Sequence, residues 1–241
     1  MAHHTPVQSP AGTPLHERTV GELVAQQPGT SRVFQAHGID FCCQGHRTVR
    51  EACQHSDQPL DRVIVELEAV LAGPSPAGSN PAELTPSDLV AHILAHHHAY
   101  LRSELPRLHE MAHRVARRHG GHTPSLIEVF HVFETLATGL ERHLREEEQI
   151  TFPVLLQQFS PAGTTQPVEA ALEALVDDHA AVAECLARLR ELTAGFNPPP
   201  EACNTYRALF AGLADLETDL QRHLHLENNV LFPAALLSTS K

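Results

Sequence analysis

The apolar residues of this chain recur in alternating steps of three and four along four stretches, which is the spacing of helices that bury one face. In each stretch, that face is interrupted by residues able to bind a metal. The apolar positions are Leu94, Leu101, Leu105 and Leu108; Leu126, Val129, Phe133, Leu136 and Leu140, resuming at Ile150 and Val154; Leu172, Leu175, Val182, Leu186 and Leu189; and Tyr206, Leu209, Leu213, Leu216 and Leu220, resuming at Val230. The pattern predicts four long helices around a common core.

An eleven-residue sequence occurs twice, as HLREEEQITFP from His143 and as HLHLENNVLFP from His223. Each copy places a glutamate four residues after its histidine, at Glu147 and at Glu227. Side chains four apart lie on the same face of a helix, so each pair can converge on one point. Because an unpaired carboxylate is costly to bury, a glutamate on an apolar face needs a compensating partner. We expect two buried His–Glu pairs, and we expect the proline that closes each copy to kink or end its helix.

The other two apolar faces each contain a single histidine, His98 or His179. His98 precedes His143 by 45 residues and His179 precedes His223 by 44, so the repeated unit is a helical hairpin. A lone buried histidine is usually a packed core residue, but four in duplicated register with two glutamates favour a metal centre. Two hairpins predict an all-α, up-down-up-down four-helix bundle whose ligands face inward: His98, His143, Glu147, His179, His223 and Glu227.

Several polar residues near these positions are expected to have other roles. Glu146 and Glu148 flank Glu147 but fall off the apolar face, so we expect both in solvent. His119 lies near the end of the first bundle helix, where it is a candidate for supporting the metal ligands or admitting iron.

A segment rich in Pro, Gly and Ser, AGPSPAGSNP, divides the chain and favours an extended linker. The predicted organisation is a flexible tail over residues 1–16, a small helical domain over 17–72, the linker over 73–84 and the bundle over 85–238. Helix signals predict short helices in the small domain after Thr19 and over residues 30–37, 47–55 and 60–71, and a first bundle helix capped by Thr85 or Ser87.

Composition and charge exclude several classes of protein. The formal net charge of -12 opposes a phosphate backbone, so nucleic acid is not an expected partner. No run of 18 apolar residues and no cleavage-site pattern occur, so we expect a cytoplasmic protein with no membrane partner. Five scattered cysteines fit a reducing compartment better than a disulfide framework. The sequence leaves open whether the chain forms a homodimer.

Two of the cysteines, Cys42 and Cys43, are adjacent in the sequence FCCQGH. Their place ahead of a predicted helix favours reactive thiolates that transfer a group or dock on a client. Adjacent side chains are expected to point in different directions, which makes the pair a poor bidentate metal clamp. The alternative is two small, half-buried packing residues. The remaining cysteines are expected in the core or on the surface: Cys53, Cys185 and Cys203.

The six candidate ligands with their FP tails resemble those of hemerythrin-like bundles, and FCCQG resembles the amino-terminal domain of the iron–sulfur cluster repair di-iron proteins, the RIC family. The resemblance covers nearly the whole chain from about Thr19 and includes LENNVLFP and PPPEAC. It implies a non-haem di-iron centre in a stress-response protein that restores iron–sulfur clusters damaged by oxidative or nitrosative stress. Phe41 and Gln44 depart from the family, which often has Tyr and Gly at these positions.

The donor set agrees with a di-iron centre without depending on the resemblance. Four imidazoles and two bridging carboxylates give each metal two nitrogens and two oxygens, and an oxo or hydroxo bridge makes five ligands. One position on each metal is then left for water, O₂, NO or a substrate. Zinc prefers four ligands, and calcium and magnesium avoid imidazole. Iron therefore fits best, followed by manganese.

Three functions are open at this point. In the first, a labile di-iron centre donates iron to damaged iron–sulfur cluster proteins, with the Cys42 and Cys43 domain docking on the client or on the bundle. In the second, the chain is an enzyme that reduces NO or O₂. In the third, it is a hemerythrin-like sensor or carrier. The linker and the paired thiols favour the first, since an oxygen carrier needs neither.

Overall fold

The computed structural model describes residues 10, 12–73, 80–159 and 169–238. Within these ranges the regular structure is helical and includes no strand, only an isolated bridge between Thr19 and Thr48. The all-α prediction is confirmed. Most of the predicted tail and the centre of the predicted linker lie outside the described residues. None of the helices in the described part of the chain is both long and apolar enough to cross a membrane.

The amino-terminal helices begin at the signals that the sequence contains. They are α1, Val20–Gln26; α2, Ser31–Ala36; α3, Val49–His55; and α4, Leu60–Leu71. The Thr19 side chain accepts the Glu22 N–H at 3.2 Å, which confirms it as the cap of α1. Thr48 and Glu51 form a reciprocal capping box at α3, which we had not expected. Beyond α2, Gly38 turns the chain with a φ of 62°, a conformation that favours glycine.

The helices of the bundle region are long and contain three π-helical segments. They are α5, Pro86–His92; π1, Ile93–His98; α6, Ala99–His119; α7, Ser125–Glu146; π2, Glu147–Thr151; α8, Phe152–Gln158; α9, Glu169–Leu192; α10, Asn204–Leu226; π3, Glu227–Leu231; and α11, Phe232–Ser238. Thr85, rather than Ser87, caps α5, since its hydroxyl accepts the Asp88 N–H at 3.2 Å.

Residues 93–154 and 169–220 form one compact unit, in which α6 packs on α7 and α7 packs on α9. An ion pair between Arg190 and Glu217 links α9 to α10. On α10, Gly212 allows close approach to α6, because an added Cβ would lie 2.6 Å from Leu108 Cδ2. This unit is therefore a helical bundle. The alternating up-and-down order of its helices stays a prediction.

Among the described residues, 12–73, 80–92, 155–159 and 221–238 form the second compact unit. Its core includes Phe34 and Phe41, whose ring centroids lie 6.3 Å apart. Phe41 also packs at 5.8 Å against the ring of His225 near the end of α10. Burial lowers the pKa of His225 to about 4, against the opposing effect of a hydrogen bond to the backbone carbonyl of Phe41, so this ring is neutral at physiological pH. The end of the last long helix is therefore part of the same core as the amino-terminal helices.

The bundle unit contains one buried carboxylate that is compensated by an arginine. The Glu217 side chain is 3% exposed, and Arg190 donates two hydrogen bonds to its two oxygens. These hydrogen bonds raise the pKa of Arg190. The guanidinium also lies 5.1 Å from the ring centroid of Phe196. Arg190 thus holds together α9, α10 and the chain that follows α9.

We expect Arg190→Ala to lower the free energy of unfolding by about 2 kcal/mol, because Glu217 would be left buried without its donor. The matched control is Arg188→Ala on the same helix, which removes exposed pairs with Glu128 and Glu191 and should cost about 0.5 kcal/mol or less. Urea unfolding of the metal-free variants, followed by circular dichroism, measures both. Equal losses in the two variants would contradict a special role for the buried carboxylate.

Candidate metal centre

Each of the three π-helical segments contains a candidate metal ligand at one end. The segment π1 ends at His98, π2 begins at Glu147 and π3 begins at Glu227. A π turn is wider than an α turn by one residue, and such turns occur mostly at functional sites. The ligand positions are therefore the places where these helices depart from regular geometry.

The π turns shift the buried face by one residue. Within and beyond each π turn, the residues that we predicted to be buried are displaced by one position from those that are buried. The predicted residues Leu94, Ile150, Val154 and Val230 are exposed or half-buried, and their neighbours Ile93, Thr151, Leu155 and Leu231 are buried instead. The cause is physical, since counting in steps of three and four assumes an uninterrupted α-helix. Between the π turns the predicted faces are buried as expected.

The prolines that follow the two glutamates were expected to kink or end their helices. Pro153 and Pro233 do not end them, since α8 and α11 continue beyond both residues; a kink at either proline stays a prediction. A proline within a helix normally clashes with the carbonyl four residues earlier. For Pro153 that residue is Gln149, which lies inside the π turn, where the regular α-helical bonding is already replaced. The wide turn thus accommodates the proline.

Four of the six candidate ligands converge inside the bundle unit. The Glu147 Oε2 atom lies 3.3 Å from His98 Nε2, and Glu147 Oε1 lies 3.2 Å from His143 Nε2. His143 Nε2 is in turn 3.2 Å from His179 Nε2. All four side chains are at most 1% exposed. The two oxygens of one carboxylate therefore face two different imidazoles, which is an arrangement suited to bridging two cations.

The other two candidates repeat the first His–Glu pair. His223 Nε2 lies 2.9 Å from Glu227 Oε1, and both side chains are fully buried. As predicted, the four-residue spacing brings nitrogen and oxygen together on one helix face. The role of these six residues as metal ligands stays a prediction, but their donor atoms, neutral nitrogens and carboxylate oxygens, fit iron.

Glu148, which we expected in solvent, instead supports one of the candidate ligands. Its Oε1 atom lies 2.7 Å from His98 Nδ1, and its carboxylate also pairs with Arg102. Burial alone would raise the pKa of Glu148, but the hydrogen bonds from His98 and Arg102 hold it below its usual value. A charged Glu148 accepts the His98 Nδ1–H, so the lone pair of His98 lies on Nε2, facing Glu147.

Two aspartates that the sequence analysis did not single out have similar positions. Asp178 Oδ2 lies 3.6 Å from His143 Nδ1, while Asp178 Oδ1 accepts a 2.9 Å hydrogen bond from Arg142. Asp219 Oδ1 lies 2.9 Å from Nδ1 of His97, the neighbour of His98. The sequence does contain a signal for both aspartates, which is their spacing from the candidate ligands. Asp178 directly precedes His179, and Asp219 lies one turn before His223.

A cavity of about 130 Å³ reaches His143 within the bundle unit. Its walls include Val182, Cys185 and the Arg142–Asp178 pair. A cavity of this size holds a few small molecules. One candidate ligand, His143, therefore forms part of the wall of this cavity.

The thiols of Cys42 and Cys43 differ from our expectation. They are not at a helix N-terminus, since α3 begins only at Val49. A hydrogen bond with Cys43, burial and the negative charge of Asp40 together raise the pKa of Cys42 well above its usual value. Helix-dipole activation of Cys42 is thus contradicted, and the role of the pair in thiol transfer or docking stays untested.

The remaining cysteines lie where packing or surface residues were expected. Cys53 is buried, Cys185 is half-buried and Cys203 is exposed. Cys203 Sγ lies 3.4 Å from His119 Nε2, so His119 has a thiol partner at the end of α6. A role for His119 in admitting iron stays a prediction.

Comparison with known proteins places this geometry in a family. Residues 16–71 match the model of the ScdA_N domain, described as a domain of unknown function (DUF542). Residues 89–235, which include all six candidate ligands, match the hemerythrin HHE cation binding domain. Metal cation binding by the bundle region is therefore a property of the domain to which it belongs.

Relatives similar over most of their length are named for one process. The chain is 33% identical over 220 residues to the iron-sulfur cluster repair protein YtfE of Pectobacterium carotovorum, covering 91% of this chain and 97% of the relative. It is 36% identical over 222 residues to YtfE of Edwardsiella ictaluri, with 91% and 97% covered. It is 31% identical over 217 residues to the iron-sulfur cluster repair protein ScdA of Staphylococcus haemolyticus, with 90% and 97% covered. The chain therefore belongs to the family of iron–sulfur cluster repair proteins that combine an ScdA amino-terminal domain with a hemerythrin HHE domain.

Proposed function

We propose that the chain holds two non-haem iron ions and donates iron to iron–sulfur clusters damaged by oxidative or nitrosative stress. The residues that would hold the ions are His98, His143, Glu147, His179, His223 and Glu227. The observation that carries the proposal is the buried Glu147 carboxylate, whose oxygens lie 3.2 Å and 3.3 Å from two different imidazole nitrogens. The names of the relatives and the HHE match support it.

The ligand set favours a labile store over a permanently closed site. Six side chains shared between two ions leave coordination positions that the protein does not fill, and nitrogen and oxygen donors hold iron(II) less tightly than a cluster protein's thiolates do. Iron is here the cargo, so what the chain contributes is a set of oriented donors. Glu148 and Asp178 would keep the imidazoles of His98 and His143 oriented, with Nε2 free of its proton.

A second function is favoured by one specific observation, the cavity that reaches His143. When bound, a di-iron centre supplies redox chemistry toward NO and O₂. The cavity would give a diatomic molecule access, and the half-buried Cys185 with the Arg142–Asp178 pair would determine its polarity. In this alternative the chain is an NO- or O₂-reducing enzyme, or a sensor of these molecules, and iron stays bound.

We expect the purified chain to bind about two iron ions, and His143→Ala or Glu227→Ala to lose at least half of that iron, because each removes a donor that a second ligand cannot replace. Iron per chain, measured by elemental analysis after gel filtration, gives the result. His113→Ala is the control, since His113 is exposed and packs only beside Phe130 among the described contacts. Full iron content in both ligand variants would refute the site.

Glu148→Gln should weaken iron binding by about tenfold to a hundredfold, since the amide can no longer accept the His98 proton as a charged partner. Competition with a colorimetric chelator measures this change. Glu146→Gln is the matched control two residues away, where the carboxylate is in contact with exposed Arg142. If both variants release iron at the wild-type rate, Glu148 does not support the ligand.

Iron donation can be separated from redox turnover with one labelled preparation. We expect protein loaded with ⁵⁷Fe to lose its label to an oxidised [3Fe–4S] dehydratase under reducing conditions, so that the Mössbauer spectrum of the separated dehydratase shows ⁵⁷Fe in a [4Fe–4S] cluster. A chelator that traps free iron(II) is present throughout, to exclude simple release. Retention of the label through repeated additions of NO, with formation of N₂O, would instead support the enzyme.

A further inference from the structure

The loop between α2 and α3 brings three metal-binding side chains together away from the six residues already discussed. Asp40 Oδ1 accepts the backbone N–H groups of Cys42 at 3.0 Å and of Cys43 at 2.9 Å. This turn places both cysteine side chains beside the same carboxylate. The two Sγ atoms are 3.7 Å apart, and Cys42 Sγ lies 3.2 Å from Asp40 Oδ1. Our expectation that adjacent thiols would point apart is therefore wrong.

The distance between the sulfurs matches that of two thiolates on one ion. With metal–sulfur bonds of about 2.3 Å and tetrahedral angles, two coordinated sulfurs lie about 3.8 Å apart. One ligand atom from each of Asp40, Cys42 and Cys43 lies within 4.8 Å of the other two. The set of two sulfurs and one oxygen selects a thiolate-preferring cation such as zinc(II) or iron(II), and disfavours calcium and magnesium.

The electrostatics of the loop also favour a cation. Cys42 is 5% exposed and lies beside a second thiol and a carboxylate. A cation bound between these groups would offset the negative charges of the carboxylate and of the thiolates, since coordination deprotonates a thiol.

A second helical element holds the loop in this conformation. In π3, Asn229 Nδ2 donates to the carbonyl of Cys42 at 2.9 Å, and Asn228 Nδ2 lies 4.0 Å from Cys43 Sγ. The Asn229 side chain packs closely against Gly45 and Gly21. A Cβ added at Gly45 would lie 1.9 Å from Asn229 Oδ1, and one added at Gly21 would lie 2.5 Å from it. The loop is therefore fixed before any metal binds, which reduces the entropic cost of ordering it. Asn228 is also placed to donate to a bound thiolate.

We propose that Asp40, Cys42 and Cys43 form a further metal site, which binds one zinc(II) or iron(II) ion through two thiolates and one carboxylate. Three protein ligands leave one tetrahedral position for water or for a donor from another protein, so the ion exchanges readily. The site is independent of the proposed di-iron centre, since it uses none of the six bundle residues. The amino-terminal domain thus binds a metal ion at a site separate from the bundle.

Cobalt(II) is the probe that tests the site in the full-length, metal-free protein. A thiolate-to-cobalt charge-transfer band should appear and reach the intensity of one thiolate site per chain once cobalt exceeds about three equivalents, enough for the loop and for both proposed bundle sites; the nitrogen and oxygen donors of the bundle produce no such band. Cys43→Ser should abolish the band, and Asp40→Asn, which keeps an oxygen for the two N–H groups, should weaken cobalt binding at least tenfold. Cys203→Ser, at an exposed thiol, is the control and should leave the band unchanged.

A second measurement uses the wild-type chain, so its result cannot be caused by misfolding of a variant. Excess zinc should remove the cobalt band and protect the half-buried Cys43, but not Cys203, from alkylation by iodoacetamide, as read by peptide mass spectrometry. The proposal is overturned if no thiolate band forms, if the band survives Cys43→Ser, or if zinc leaves Cys43 as reactive as before. The thiolate band and the alkylation of Cys43 report on the loop whether or not the bundle holds iron.

Discussion

The burial of two carboxylates is the constraint on which the rest of this molecule depends. Glu147 and Glu227 are fully shielded from water, and a charge in such a place costs several kcal/mol unless it is compensated. Their nearest described partners are imidazole nitrogens, at 2.9 Å for His223 and at 3.2 Å and 3.3 Å for His143 and His98. Imidazole nitrogens and carboxylate oxygens at these distances are suited to share a metal cation. Bound cations explain why helices that are otherwise apolar on this face contain glutamate at two equivalent positions.

The sequence predicted the helices and the six candidate ligands because both depend on local periodicity. It could not predict the π turns. The spacing of apolar residues before a wide turn is that of an ordinary α-helix, and the buried positions from the turn onward are shifted by one residue. Thus Phe133 and Leu140 are buried as expected, while Ile150 is 57% exposed and Thr151 is buried. The shift between the predicted and the observed buried face begins at the candidate ligand Glu147. One wide turn allows this helix both to place Glu147 toward the interior and to continue through Pro153.

Contacts between residues distant in sequence were the least predictable part. Glu148 reaches His98 from 50 positions away, and no pattern within one helix indicates whether a carboxylate beside a ligand faces water or a neighbouring imidazole. The same limit applies to the thiol loop. No sequence pattern indicates that Asn229 and Cys42, 187 positions apart, are joined by a 2.9 Å hydrogen bond. Only the folded chain places these residues side by side.

The π turn that begins at Glu227 lies in the same compact unit as the thiol loop. The two residues after Glu227 hold the carbonyls of Phe41 and Cys42 through their side-chain amides. Gly45 and Gly21 leave little space around Asn229, so the loop and α1 restrict the rotation of this side chain. A turn that interrupts the regular geometry of the last long helix is therefore the backbone segment that positions Cys42 and Cys43.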